Sequence, residues 1–315
     1  MTLSEELMDI NFHIPDFTYH MYLNSLLINT IRKNPEYFHD GLKIASVFGN
    51  FYGSVWNGGR YLGGITDPNM LPAVTKALND KGIPMRFTFT NPLVTEEHLD
   101  DAFSNAILRV AHNGLNEVIV VSPILEKYIR KKYPKYKITS STCKEIRNIE
   151  GVKEELKKDY KYVVLDYNFN NQFDKLEQID EADRSRCEIL VNACCTPNCP
   201  RRGEHYRTIG QDQIDEWEFK QTGKDPRTYA SKEFKCPSML LNLYDTVGFS
   251  THISPQAIFE KYLPMGFNNF KIEGRTMPDI NLLETYIYYM VKPEYQNEVR
   301  LKMALALTKR HKYFI

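Results

Sequence analysis

The sequence predicts an α/β fold, a (β/α)8 TIM-like barrel with a long cysteine-bearing loop after the seventh strand. Three observations predict it. Short β-type runs alternate with helical patterns about eight times along 315 residues, a length that suits one barrel of about 250 residues plus insertions. No nucleotide-binding glycine motif accompanies the alternation, which favours a closed barrel over an open sheet. The regularity breaks between Thr196 and Ser254, in a polar stretch that holds Cys199 and Cys236.

The strands are expected at Asp9–Ile14, Lys43–Phe48, Met85–Thr90, Glu117–Ser122, Lys137–Ser141, Tyr162–Asp166, Glu188–Ala193 and Asn269–Ile272. Most are rich in Val, Ile, Phe or Tyr, as buried parallel strands are. Amphipathic stretches at Tyr19–Arg32, Asn69–Asp80, Glu96–Ala111 and Ile124–Lys132 predict helices, and Tyr295–Thr308 predicts a last one. Gly82, Gly114 and Gly266 fall where helices commonly end. No repeat or linker divides the chain, so residues 1–315 are expected to form one domain.

Hydrophobic residues make up 42% of the chain, enough for a large core. Lys plus Arg and Asp plus Glu balance at 40 each, which argues against general nucleic-acid binding. The basic runs Arg130-Lys131-Lys132 and Lys309-Arg310-His311 read as solvated helix faces. No run reaches the roughly 18 apolar residues of a membrane span. The acidic start Met1–Glu6 carries no signal core, so a cytoplasmic protein is expected. Six cysteines in such a compartment are buried hydrophobes, ligands or nucleophiles rather than disulfides.

The cysteines cluster in Ala193-Cys194-Cys195-Thr196-Pro197-Asn198-Cys199-Pro200-Arg201-Arg202, where a strand ends and the loop begins, and Cys236-Pro237 repeats the Cys-Pro pairing far along the loop. Two thiolates across a Pro-containing turn can reach one metal, and Arg201 and Arg202 would favour their ionised form. A thiolate-rich set suits an iron–sulfur cluster or zinc, although structural zinc sites commonly show two short Cys pairs and one is present here. Cys195, Cys199 and Cys236 are the candidate metal ligands. Cys194 or Cys143 could complete the set, as could an external ligand. Cys187, at a strand start, reads as a core residue.

Residues at strand C-termini converge on one mouth of a barrel. Asn57-Gly58-Gly59-Arg60, Asn91, Asp166-Tyr167-Asn168 and Lys271-Ile272-Glu273-Gly274-Arg275 all lie there. Glu273 and Arg275 share a face, as an ion pair or as a general acid/base beside an anion site. His205 is a ligand, a proton donor or packing. The candidate catalytic residues are Glu273, Arg275, His205 and Arg60, with Arg202 a further anion contact. No Gly-x-Ser-x-Gly elbow, His-Glu-x-x-His helix or Gly-Lys-Ser phosphate loop is present.

Together, Lys271–Arg275, Ser141-Thr142 and the Cys195, Cys199, Cys236 set resemble the collagenase-like peptidases of family U32, over most of the chain. That family includes ubiquinone-biosynthesis accessory proteins and ribosomal and transfer RNA hydroxylation proteins. The resemblance implies a barrel with a four-cysteine [4Fe–4S] cluster, and members that hydroxylate without dioxygen. Cys195 and Cys236 match the first and last cluster cysteines and Cys199 a middle one. The first spacing is shorter here, one middle cysteine is missing, and Cys143 stands where many relatives have Gln. The functions this leaves are a redox-type enzyme acting on a small or macromolecule-borne substrate, a peptidase, or a metal-stabilised partner subunit. For the last, the only sequence support is Tyr286-Ile287-Tyr288-Tyr289, which also reads as helix packing.

Overall fold

A computed structural model describes residues 9–232, 234–236 and 242–311. The acidic start Met1–Glu6 and Pro237 lie outside the described residues, as do the side chains of Arg310 and His311 in the second basic run. Eight parallel strands close a barrel in chain order. They are β1 (Ile10–Pro15), β2 (Leu42–Gly49), β3 (Met85–Phe89), β4 (Glu117–Val120), β5 (Lys137–Ser140), β6 (Tyr162–Val164), β7 (Cys187–Leu190) and β8 (Asn269–Lys271). Each overlaps its expected run. Several stop one to three residues early, because side chains at the predicted ends cap the next turn instead of extending the ladder. Ser122 accepts from Leu125 N–H at the start of the next helix, and Asp166 accepts from Asn168 N–H.

The outer layer is α1 (Met21–Lys33), α2 (Met70–Asn79), α3 (Ala102–Val110), α4 (Pro123–Lys132) and α5 (Ile149–Leu156), then the short α6 (Phe173–Leu176) and α7 (Glu181–Arg184). After β7 come α8 (Arg202–Gln221), α9 (Leu243–Thr246) and α10 (Pro255–Ala257), and after β8 come α11 (Asp279–Met290) and α12 (Gln296–His311). The helix expected over Glu96–Ala111 is two pieces. Asp101 ends a 3-10 turn over Glu96–Asp100, and its carboxylate caps α3 by accepting from Ser104 N–H at 2.7 Å. Gly82 and Gly114 hold φ of 71° and 87° past helix ends, a region costly for other residues.

The long loop after β7 is not a loop throughout. Its largest element is α8, a 20-residue helix. Sequence pattern conceals it because its buried face is polar, with Asp212, Gln213 and Glu216 almost wholly covered. These side chains hold the glycine-rich segment after β2. Gln213 Oε1 accepts from Asn57 Nδ2 at 2.6 Å, and Glu216 Oε1 accepts from Gly64 N–H at 2.7 Å. The segment carrying Arg60 is thereby tied to the helix that follows the cysteines.

Strand alternation sends one set of side chains to the helix layer and the other into the lumen. Phe12, Ile14, Val47, Phe87, Phe89, Val118, Val120, Ile189 and Phe270 join the apolar core. The lumen is ionic. Arg86, fully buried, donates to Glu188 at 2.5 Å and to Thr139 at 2.9 Å. Its Nε lies 3.3 Å from Glu117, and Lys271 Nζ lies 3.1 Å from Glu188, pairs held by charge rather than by aligned hydrogen bonds. A one-residue register shift after Phe12 sets His13 opposite Ser46, and their side chains are 2.7 Å apart. Burial, reinforced by Arg86 and Lys271 against the pull of Glu188, drops the His13 pKa to about 3, so its imidazole is neutral.

Tyr286, Ile287 and Tyr289 are buried, with Tyr286 donating to Asn24 and Tyr289 to the Val191 and Ile253 carbonyls. These three side chains are helix packing, while Tyr288 is half-buried. Among the described residues, no helix is long and apolar enough to cross a membrane.

Candidate metal and substrate site

Two cavities lie side by side at the C-terminal mouth of the barrel. The first, of about 90 Å³, is floored by β-strand side chains such as Thr88, Ile119 and Lys271 and rimmed by Arg60, Cys143, Tyr167, Cys195, Tyr206, Glu273 and Arg275. The second, of about 280 Å³, is walled by Cys195, Cys199, Arg201, Arg202, His205, Phe234 and Cys236. Cys195, in the turn after β7, lines both.

The three cysteines expected to act together line one cavity, although 36 residues lie between Cys199 and Cys236 in the chain. The turn Thr196–Cys199, closed by Cys199 N–H donating to the Thr196 carbonyl at 3.1 Å, brings Cys199 back over Cys195. Phe234 holds the far segment in place. Its ring stacks on His205 at 4.4 Å with 9° between planes, and the Arg201 guanidinium sits 4.4 Å from the same ring. No three His, Cys, Asp or Glu side chains among the described residues are gathered closely enough for one metal ion. The thiols surround a space instead of a point.

The other two cysteines go elsewhere. Cys143, after β5, lines the mouth cavity and not the cysteine cavity. Cys194 lines neither. Its thiol turns back to the Asn192 carbonyl at 3.5 Å, and its N–H donates to Glu273 at 3.0 Å. Cys195 thus faces the cavity and Cys194 does not. Cys187 is fully buried in the core, as expected. The arginines were expected to favour thiolates. At Cys195, burial and Glu273 outweigh Arg60 and Arg202, and its pKa rises to about 11.

Of the two readings of Glu273 and Arg275, the structure removes the ion pair. Glu273 and Arg275 do not pair with each other. Glu273 forms an ion pair with Arg60, while its other oxygen accepts the Cys194 N–H. A reciprocal pair of hydrogen bonds between Asn192 and the Glu273 backbone, at 2.7 and 2.9 Å, locks the ends of β7 and β8 together. Arg202 is committed to Asp166 and lies 3.4 Å from Glu145, with Tyr167 beneath it at 4.6 Å, so it is not a free anion contact. Burial lowers the Lys271 pKa to about 8 against the pull of Glu188, and burial with Arg60 nearby lowers that of His205 to about 4. Asn91 is a brace, donating to the Val55 and Gly210 carbonyls.

Sequence reasoning missed Phe234, and it missed the lumen charges Arg86, Glu117 and Glu188. The available signal was a single charged residue in each of three otherwise apolar strands.

Fold and site together define a (β/α)8 barrel with a cysteine-walled cavity at the C-terminal mouth of its strands. Among solved structures, the U32 peptidase Mk0906 superposes on it with a TM-score of 0.51, over 88% of this chain and 98% of that one, at 12% identity. The two share a fold, in agreement with the resemblance read from the Lys271–Arg275 and cysteine motifs. No protein-family model and no curated protein matches the sequence.

Proposed function

We propose that this barrel holds an iron–sulfur cluster, of the [4Fe–4S] kind, on Cys195, Cys199 and Cys236, and that it performs an oxygen-independent, hydroxylation-like modification of a substrate in the mouth cavity. One observation carries the reading: three thiols from two chain segments far apart in sequence, the Cys195–Cys199 turn and Cys236, wall a single cavity, and Cys195 also lines the mouth cavity beside it. A single zinc ion needs donors at about 2.0–2.3 Å, closer together than these side chains stand, whereas a polynuclear group spans more space. Neutral His205 is the other metal-binding side chain on that wall and is the candidate for the fourth position.

Bound at Cys195, such a group would supply electron transfer or Lewis acidity next to the mouth. The chain's own residues do the rest. Arg60 and the Cys194 N–H fix the Glu273 carboxylate at the cavity, where it can take a proton from a bound substrate. Tyr206 and Tyr167 narrow the opening, and burial keeps both phenols protonated.

Protein purified without oxygen should contain iron and acid-labile sulfide and show a broad absorbance that dithionite bleaches. Cys195→Ala, Cys199→Ala and Cys236→Ala should each lose most of the iron, while Cys143→Ala and Cys194→Ala should keep it. A colourless protein with stoichiometric zinc would overturn the redox reading. Peptide cleavage by iron-free protein would favour a peptidase, the activity in Mk0906's name.

A further inference from the structure

Of the three cations that line the mouth cavity among the described residues, two have a carboxylate partner. Arg60 has Glu273 and Lys271 has Glu188. Arg275 has none among the described residues. Its Nη1 donates to Thr88 Oγ1 at 2.9 Å and reaches Asn57 Oδ1 at 3.4 Å, and its Nη2 donates to the Gly58 carbonyl at 3.0 Å. All three acceptors are neutral, and Nε has no acceptor among the described residues. Of the acids acting on it, Asp16 exerts the largest pull without pairing with it, its carboxylate accepting from Thr18 N–H, Thr18 Oγ1 and Tyr19 N–H.

This guanidinium is placed with care. Gly59, at φ 73°, leaves room for it, since a Cβ there would stand 3.0 Å from Nη2. A Cβ on Gly58 would stand 2.2 Å from the Thr90 carbonyl, so only glycine lets the backbone present its own carbonyl to Arg275. A half-buried cation held by neutral oxygens, with spare donors beside a cavity, lacks the charge that would compensate its desolvation. Thr90, Ser141 and Thr142 add hydroxyls to the same wall.

We infer that the mouth cavity binds a small oxyanion, with Arg275 as its charged anchor and the wall hydroxyls completing the contacts. The inference rests on the reading that substrate occupies the mouth, and names its class: a molecule bearing a carboxylate or phosphate group. It does not depend on the metal, because Arg275 lies outside the cysteine cavity. A planar guanidinium offers paired donors to either group, which Lys cannot do.

The test is thermal unfolding and calorimetric titration of the full chain with benzoate, succinate or inorganic phosphate, against chloride at matched ionic strength. At least one oxyanion should raise the wild-type midpoint, the carboxylate and phosphate arms identifying which. Arg275→Gln should weaken that oxyanion at least tenfold, and Arg275→Lys should fall between. Cys199→Ala should bind it as wild type does, whatever its iron content, so failure of the metal reading and failure of this one are separable. Should Arg275→Gln not fold, phenylglyoxal labelling of Arg275 in wild type should slow when the oxyanion is present. No response beyond chloride, equal binding by Arg275→Gln, unprotected labelling, or loss of binding in Cys199→Ala would overturn the inference.

Discussion

The floor of the barrel and its mouth are built from the same kinds of residue to opposite ends. In the floor, Arg86 and Lys271 share Glu188, Arg86 also faces Glu117, and Lys161 closes on Glu117 from outside. Every one of these charges has an opposite partner. At the mouth, Arg275 has only neutral acceptors, and behind it three thiols wall a cavity without converging. The floor balances its charges with protein groups alone, although Arg86 Nε, Glu117 Oε2 and Glu188 Oε1 make no hydrogen bond. On the proposed reading, the mouth is arranged around a guest that is not protein. TIM barrels usually fill the lumen with branched aliphatic side chains. Here the charged floor demands good pairing simply to be tolerated, because an unpaired buried charge is costly.

The largest expected effect comes from His13. In the unfolded chain it titrates near 6.5, and in the fold near 3. Its contribution is fully present above pH 6.5. Between pH 6.5 and 3 the unfolded state binds a proton that the folded state refuses, so stability falls as pH falls, by up to about 5 kcal/mol. Urea unfolding at pH 7, 5.5 and 4.5 should show this slope, and His13→Gln should flatten it by about one proton. Parallel slopes would mean that the floor admits a charged imidazole. Next is Glu188→Gln, which strands Arg86 and Lys271 together and should cost about 3–5 kcal/mol. Adding Lys271→Met should return part of that loss in a double-mutant cycle. If Glu188→Gln unfolds like wild type, the floor is no better paired than the mouth.

These contrasts were unevenly legible in the sequence. The eight strands were readable because their outward-facing residues, such as Phe87 and Phe89 or Val118 and Val120, are apolar and β-prone. The cysteine set was readable because Cys195, Cys199 and Cys236 stand in polar surroundings where a core cysteine has no place. What could not be read was partnership. Glu273 and Arg275 lie two residues apart and read equally as a pair or as separate groups, and Glu273 pairs with Arg60, more than two hundred residues earlier by number. Arg202 looked free and is held by Asp166. The helix α8 was hidden because it buries amides and carboxylates against the glycine-rich segment, and a polar interface leaves no apolar stripe to detect.

Arg60→Ala gives a smaller effect that locates the boundary between the two regions. The Arg60–Glu273 pair is partly exposed, at 25% and 18% for the two side chains, and Glu273 keeps its bond from the Cys194 N–H when Arg60 is lost. A cost of about 1 kcal/mol follows, well below that of Glu188→Gln. A loss of 3 kcal/mol or more, on the same order as the floor, would mean that the pair closes the barrel and is not part of a site.

The smallest effect is expected at Cys199, and it is the most discriminating. Its thiol sits on the wall of a cavity, in a turn held by a backbone hydrogen bond that alanine keeps. In protein stripped of metal, Cys199→Ala should therefore unfold within about 0.5 kcal/mol of wild type. In metal-loaded protein the same substitution should lower stability by whatever the bound group contributes, since a ligand that binds only the folded state stabilises it. The difference between the two measurements isolates that contribution from ordinary packing. A penalty of about 2 kcal/mol already present without metal is what removal of a packed core side chain costs. The cysteine cavity would then belong with the floor, as structure that needs no guest.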